Sequence, residues 1–129
     1  MKSASVVSED NDLFEKFASL LAENGGHRTP DMAQLVDAEG RMLTVFAMTS
    51  DEWLAELQLP PETPERTVGR PPVSPLSSLT ACTVECRWET VFVSWVQRLA
   101  RQSSTDVWVL DGDDVLWASD QLDADALRL

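Results

Sequence analysis

The sequence predicts an α+β fold in which a mainly antiparallel sheet is built from hairpins and helices pack on it. Strand-like runs come in pairs across short glycine-bearing connections, and the helical stretches are segregated from those pairs. The 129 residues are 43% hydrophobic and include five tryptophans. A chain of this size can bury about two thirds of its unfolded surface, so one domain spanning 1–129 is expected.

Residues 1–10, with their serines, Glu9 and Asp10, read as a disordered polar tail. Leu13, Phe14, Phe17, Leu20 and Leu21 then recur at the spacing of an amphipathic helix. Acidic Glu9, Asp10 and Asp12 stand at its positive dipole end, and Gly25 and Gly26 are placed to stop it. Residues 32–37 and 42–48 form the first hairpin, with Gly40 supplying a positive φ in the connection. Thr49 and Glu52 have capping-box spacing and open a short helix through Trp53, Leu54 and Leu57.

Residues 60–78 change character, since Pro60, Pro61, Pro64, Pro71, Pro72 and Pro75 stand among serine, threonine, glutamate and arginine. A long loop is predicted, and because neither flank can build a core alone it belongs within one domain. The stretch from Pro72 to Pro75 offers a proline-rich recognition segment as the alternative to a plain solvated loop. A strand over 80–85 then feeds a helix over 88–102, whose broad apolar face is Trp88, Val91, Phe92, Trp95, Val96 and Leu99. Arg98 and Arg101 lie in its last turns, where cations complement the dipole.

Residues 107–111 and 114–118 are expected to pair across Gly112 and Asp113 as a two-residue hairpin. In that register Trp108 faces Trp117, Leu110 faces Val115 and Val109 faces Leu116. Asp111 then sits opposite Asp114, a costly like-charge pair unless a longer loop parts them. Residues 120–129, with Leu122, Leu127 and Leu129, end the chain as a short acidic helix or strand.

No catalytic set is legible. His27, the one histidine, falls after a helix end and reads as a surface-loop residue. No nucleophile elbow, phosphate-binding loop or dinucleotide fingerprint occurs, so neither an enzyme nor a cofactor is expected. Cys82 and Cys86, four apart in a strand, would hold their α-carbons about 13 Å apart, beyond disulfide reach. Two cysteines cannot complete a four-ligand zinc site, and reduced thiols are expected. The run Asp111, Gly112, Asp113, Asp114 offers oxygens to a hard cation, but its glycine comes too early for a calcium loop. Leu122 stands where that loop needs a bidentate glutamate, so a polar turn without metal is predicted.

The formal charge of -12 and a pI near 4.2 repel nucleic acid and anionic membranes and attract basic surfaces. Residues 1–10 contain no apolar run of signal-peptide or membrane-helix length, and a cytoplasmic location is expected. The acidity is polarised, because Asp106, Asp111, Asp113, Asp114, Asp120, Asp123 and Asp125 fall in the final stretch with Arg128 as its one cation. Asp111, Asp113, Asp114, Asp120, Asp123 and Asp125 are therefore the candidate partner-binding residues, with Trp117 as an anchor if it is not wholly buried.

A small acidic α+β domain with an aspartate-rich hairpin and no catalytic set resembles the immunity proteins of contact-dependent growth inhibition and other bacterial polymorphic toxin systems. The resemblance spans the whole chain in size, charge and layout and rests on no single motif. It implies a cytosolic protein that binds a cognate toxin domain, often a basic nuclease, and covers its active site. The order of elements is also similar to that of acidic type III secretion chaperones, which hold an effector segment in extended form. The proline-rich insertion and short C-terminal element depart from that second pattern. An inhibitor whose spaced carboxylates mimic nucleic-acid phosphates is a third possibility.

Overall fold

Ser3–Ser8, expected within a tail, is strand β1 and lies inside the sheet. The computed structural model describes residues 2–57, 64 and 66–129. Along the chain come α1 (Leu13–Glu23), β2 (His27–Arg28), β3 (Met32–Val36), β4 (Met42–Ala47), α2 (Ser50–Leu57) and β5 (Arg66–Val68). Next are β6 (Thr80–Cys86), α3 (Glu89–Gln102), β7 (Val107–Leu110) and β8 (Val115–Ala118), with short 3-10 turns at Leu76–Ser78 and Ser119–Gln121. The strands form one sheet in the order β2-β3-β4-β6-β1-β7-β8-β5, antiparallel throughout except for β5, which runs parallel to β8. This is the expected α+β fold.

The departure from a tail at Ser3–Ser8 has a physical cause. β1 is covered on both faces, so Ala4 and Val6 are buried on one side and Val7 on the other, and the polar-out alternation of a half-exposed strand is missing. Its serines are sequestered rather than solvated. Ser8 donates to the carbonyl of Asp106 at 2.9 Å and accepts from the backbone N–H of Asp10 at 3.1 Å.

Opposed residues of an antiparallel pair share a face, so the register sorts the core into two layers. Ala33, Leu35, Leu43, Val45, Val6, Val109 and Trp117 face α1 and α3, whose Leu13, Phe17, Leu21, Phe92, Val96 and Leu99 fill the main core. Trp88 and Trp95 of the expected helical face are only half-buried, and the guanidinium of Arg98 lies 4.2 Å from the Trp95 ring centroid. Cys82 and Cys86 are free thiols on this inner face. Burial pushes the Cys82 thiol up to about 12 and raises that of Cys86 as well, so both stay protonated and unreactive near neutral pH.

The opposite face carries a smaller core of Val7, Ala81, Trp108, Leu116 and Ala118, roofed by Trp53 of α2 and by Leu76 and Leu79. The proline-rich stretch is thus more than an excursion. Its segment from Pro60 through Thr63, and Glu65, lie outside the described residues. The remainder contributes β5 to the sheet edge and Leu76 to the roof. Two indoles fasten it: Trp53 Nε1 donates to the Leu76 carbonyl and Trp108 Nε1 to the Arg70 carbonyl, each at 2.8 Å.

The local stop and start signals operate as the sequence implies. Gly25 takes φ +96° and donates to Ala22, while Gly26 donates to Leu21 at 2.9 Å, the paired bonds of a Schellman ending. Thr49 N–H donates to Glu52 Oε1 at 3.0 Å and Glu52 N–H to Thr49 Oγ1 at 3.1 Å, a closed capping box. Gly40, at φ +80°, turns the chain between β3 and β4. His27 departs from its expected loop, being an exposed residue of edge strand β2 opposite Gln34. Among the described residues no helix is long and apolar enough to cross a membrane.

Candidate partner-binding surfaces

The C-terminal hairpin forms, but one residue out of the expected register. Trp108 pairs with Ala118, Val109 with Trp117 and Leu110 with Leu116. The loop is longer than two residues. Asp111 N–H donates to the Val115 carbonyl, Asp114 N–H donates to the Asp111 carbonyl, and Asp114, not Gly112, takes the positive φ of 58°. This is a type I turn followed by a left-handed residue, a conformation aspartate tolerates. The slip sends the two indoles to opposite faces of the sheet and removes the expected clash between Asp111 and Asp114.

The side chain of Asp111 supplies the reason. Its Oδ1 accepts from the N–H groups of Asp113 at 2.9 Å and Val115 at 3.1 Å, and its Oδ2 accepts from Trp117 Nε1 at 2.9 Å and Arg128 N–H at 3.3 Å. In the longer turn one carboxylate meets all four donors. Asp111 is 6% exposed and Trp117 3% exposed, so neither can contact a partner as expected from the sequence. Both belong to the internal frame. The chain end is drawn into the same knot, with Gly112 N–H donating to the Arg128 carbonyl at 2.6 Å and Leu127 buried.

The other nominated aspartates, Asp113, Asp114, Asp120, Asp123 and Asp125, are exposed. They do not form one row. Asp113 and Asp114 occupy the turn, whereas Asp120 lies past the far end of β8, about 13 Å of extended chain away. Asp123 and Asp125 lie on the return path from there to the turn, in an Asx turn where Asp125 N–H donates to Asp123 Oδ1 at 2.9 Å. Arg128 approaches Asp113 at 4.0 Å with both side chains mostly exposed, a pair that neutralises little. Asp120 borders a cleft of about 560 Å³ that Arg70 and Arg101 also line, and Arg70 is ion-paired to Asp106. That cleft is mixed in charge.

A second acidic surface has no continuous signal in the sequence. The cover over the outer face stops short, leaving part of β3, β4 and β6 bare beside α2. There the register aligns Met32 with Phe46 and Phe46 with Thr83, on the face turned away from α1 and α3. Phe46 is 37% exposed, although its near neighbours in sequence Val45 and Leu43 are buried. With Met48 these residues line a groove of about 1100 Å³ bordered by Asp31, Glu52, Glu56 and Glu85. No lysine or arginine lines it, and none of its four carboxylates forms an ion pair among the described residues. The backbone N–H of Thr49, with its hydroxyl, holds the Glu52 carboxyl below the usual carboxylate range. The acids come from three segments of the chain, Asp31, the α2 pair Glu52 and Glu56, and Glu85, spread over more than fifty residues, and the fold brings the three together.

Among the described residues no three histidine, cysteine, aspartate or glutamate side chains converge as a metal-holding group. No family model, no curated protein and no solved structure matches this chain.

Proposed function

We propose that this chain is an acidic protein-binding module of the immunity type, which captures a cognate toxin domain with a basic surface, such as a nuclease, and blocks it in the cytoplasm. The observation that supports this reading is the disposition of charge. The chain carries a formal -12, and Asp113, Asp114, Asp120, Asp123 and Asp125 stand exposed with the long Arg128 contact to Asp113 as their only ion pair among the described residues. A cleft that grips phosphates must present spaced cations, and carboxylates can occupy it in place of nucleic acid. The negative field accelerates encounter, and charge-assisted hydrogen bonds form on docking. The bonds to Asp111 hold the turn before any partner arrives, which lowers the ordering cost of binding.

Co-expression provides the test. The C-terminal domain of a large secreted protein encoded by a neighbouring gene, produced alone in the cytoplasm, should arrest growth, and this chain should restore it. The double variant Asp113→Lys, Asp114→Lys should weaken binding to that domain about a hundredfold, because reversing charges at an interface turns attraction into repulsion. Its melting temperature should fall by only a few degrees, since both side chains are exposed and the main cost is lysine in the left-handed conformation at position 114, about 1 kcal/mol. Growth arrest that the native chain leaves unaltered would overturn the reading.

A further inference from the structure

The geometry points to the groove between α2 and the bare part of β3, β4 and β6 as the docking site for a basic amphipathic segment of a protein partner, with apolar side chains on its floor and lysines or arginines against its rim. This rests on the reading of the chain as a binder of a basic protein and gives that binding a second place, on a different element set from the C-terminal aspartates. Three observations lead to it. The floor holds Met32, Phe46 and Met48, and an adaptable methionine-rich surface around an exposed aromatic ring is a usual seat for an apolar anchor.

The rim is of a single sign. Asp31, Glu52, Glu56 and Glu85 surround that floor without a cation, so desolvating the apolar centre brings a cationic segment's charges against four carboxylates that have no ion-pair partner to surrender among the described residues. The same rim opposes a second copy of this acidic chain and excludes anionic occupants. Size is the third observation. At about 1100 Å³ the groove is long and open enough to seat a stretch of polypeptide.

The test uses labelled synthetic peptides and fluorescence anisotropy on the full chain. The probes are an amphipathic helical peptide of leucine and lysine, its scrambled isomer of the same composition, and oligolysine of the same charge. The amphipathic peptide should bind at least about tenfold more tightly than either control, because only it presents anchor and charge on opposite sides of one helix. Phe46→Ser should cost it about tenfold, as should the triple variant Glu52→Gln, Glu56→Gln, Glu85→Gln, which removes rim charge while keeping the Glu52 cap acceptor. The distant triple variant Asp113→Asn, Asp114→Asn, Asp125→Asn removes the same charge and should change affinity less than about twofold. The glutamine and asparagine variants should melt close to the native protein, and Phe46→Ser, which loses a partly buried ring, should melt several degrees lower but stay fully folded at the assay temperature.

Equal losses from the two triple variants with none from Phe46→Ser would overturn the groove while leaving an acidic binder intact. Absence of binding by any cationic peptide, or a native dimer that Phe46→Ser dissolves, would also overturn the groove. Failure of the native chain itself to rescue growth would instead remove the reading on which the groove rests.

Discussion

Replacing Asp111 with alanine is expected to lower the stability of the protein by about 3–5 kcal/mol, although the residue sits in a hairpin turn where substitutions are usually tolerated. Four N–H donors converge on its carboxylate, two from the turn, one from the Trp117 indole and one from Arg128 near the chain end. Alanine leaves those donors unpaired in a site that is nearly closed to water, and each orphaned buried donor costs about 1–3 kcal/mol. Partial relaxation and water entry keep the total below the sum. Asparagine should fall in between, at about 2 kcal/mol, because its amide presents hydrogens to two of the donors that the carboxylate accepts. Asp114→Asn, at the exposed end of the same turn, should cost less than about 0.5 kcal/mol, since asparagine also accepts the left-handed conformation. Urea unfolding monitored by tryptophan fluorescence measures all three. A loss below about 1 kcal/mol for Asp111→Ala would show that the four bonds do not hold the turn.

Trp53→Ala should be equally severe, at about 3–5 kcal/mol. Trp53 is 1% exposed and is the largest fully buried side chain among the described residues. It joins α2 to the outer face of the sheet, in the cluster of Val7, Ala81, Trp108 and Leu116, and its indole N–H secures the Leu76 carbonyl. Truncation opens a cavity and also releases the tie between α2 and the Leu76–Ser78 turn. A phenylalanine ring would fill most of the volume without the hydrogen bond, so Trp53→Phe should cost about 1–2 kcal/mol. If both variants unfolded at the same denaturant concentration as the native protein, the outer cluster would carry none of the stability assigned to it.

Elements specified by local signals were legible in the sequence. The hairpin of β3 and β4, the closed capping box of Thr49 and Glu52, the glycine ending of α1 and the apolar stripe of α3 each depend on residues within a few positions of one another. Features that depend on distant partners were not. β1 resembled a tail because both its faces are covered, and strand periodicity is informative only when one face meets water. The register of the last hairpin turned on whether Asp111 points outward or inward, and the donor from Trp117 that draws it inward is available only once that register is set. Charge counting alone therefore placed Asp111 among the partner contacts, and Trp117 beside it on the condition that it is not wholly buried, a condition its 3% exposure does not meet. For the same reason it missed the groove, since Asp31, Glu52, Glu56 and Glu85 are ordinary acids until the sheet and α2 assemble around Phe46.

The burial of Asp111 also separates two roles within one acidic run. Lysine there would disrupt folding, so charge reversal informs on binding only at Asp113, Asp114, Asp120, Asp123 and Asp125. In the proposed function these exposed carboxylates recruit a basic protein. Stopped-flow association of the native chain with the proposed toxin domain, measured across salt concentrations, tests this. Between about 50 and 500 mM NaCl the association rate constant should fall at least about tenfold while the dissociation rate constant changes much less, the pattern of electrostatic steering. An association rate that stays flat over that range would leave these carboxylates no part in recruiting a partner.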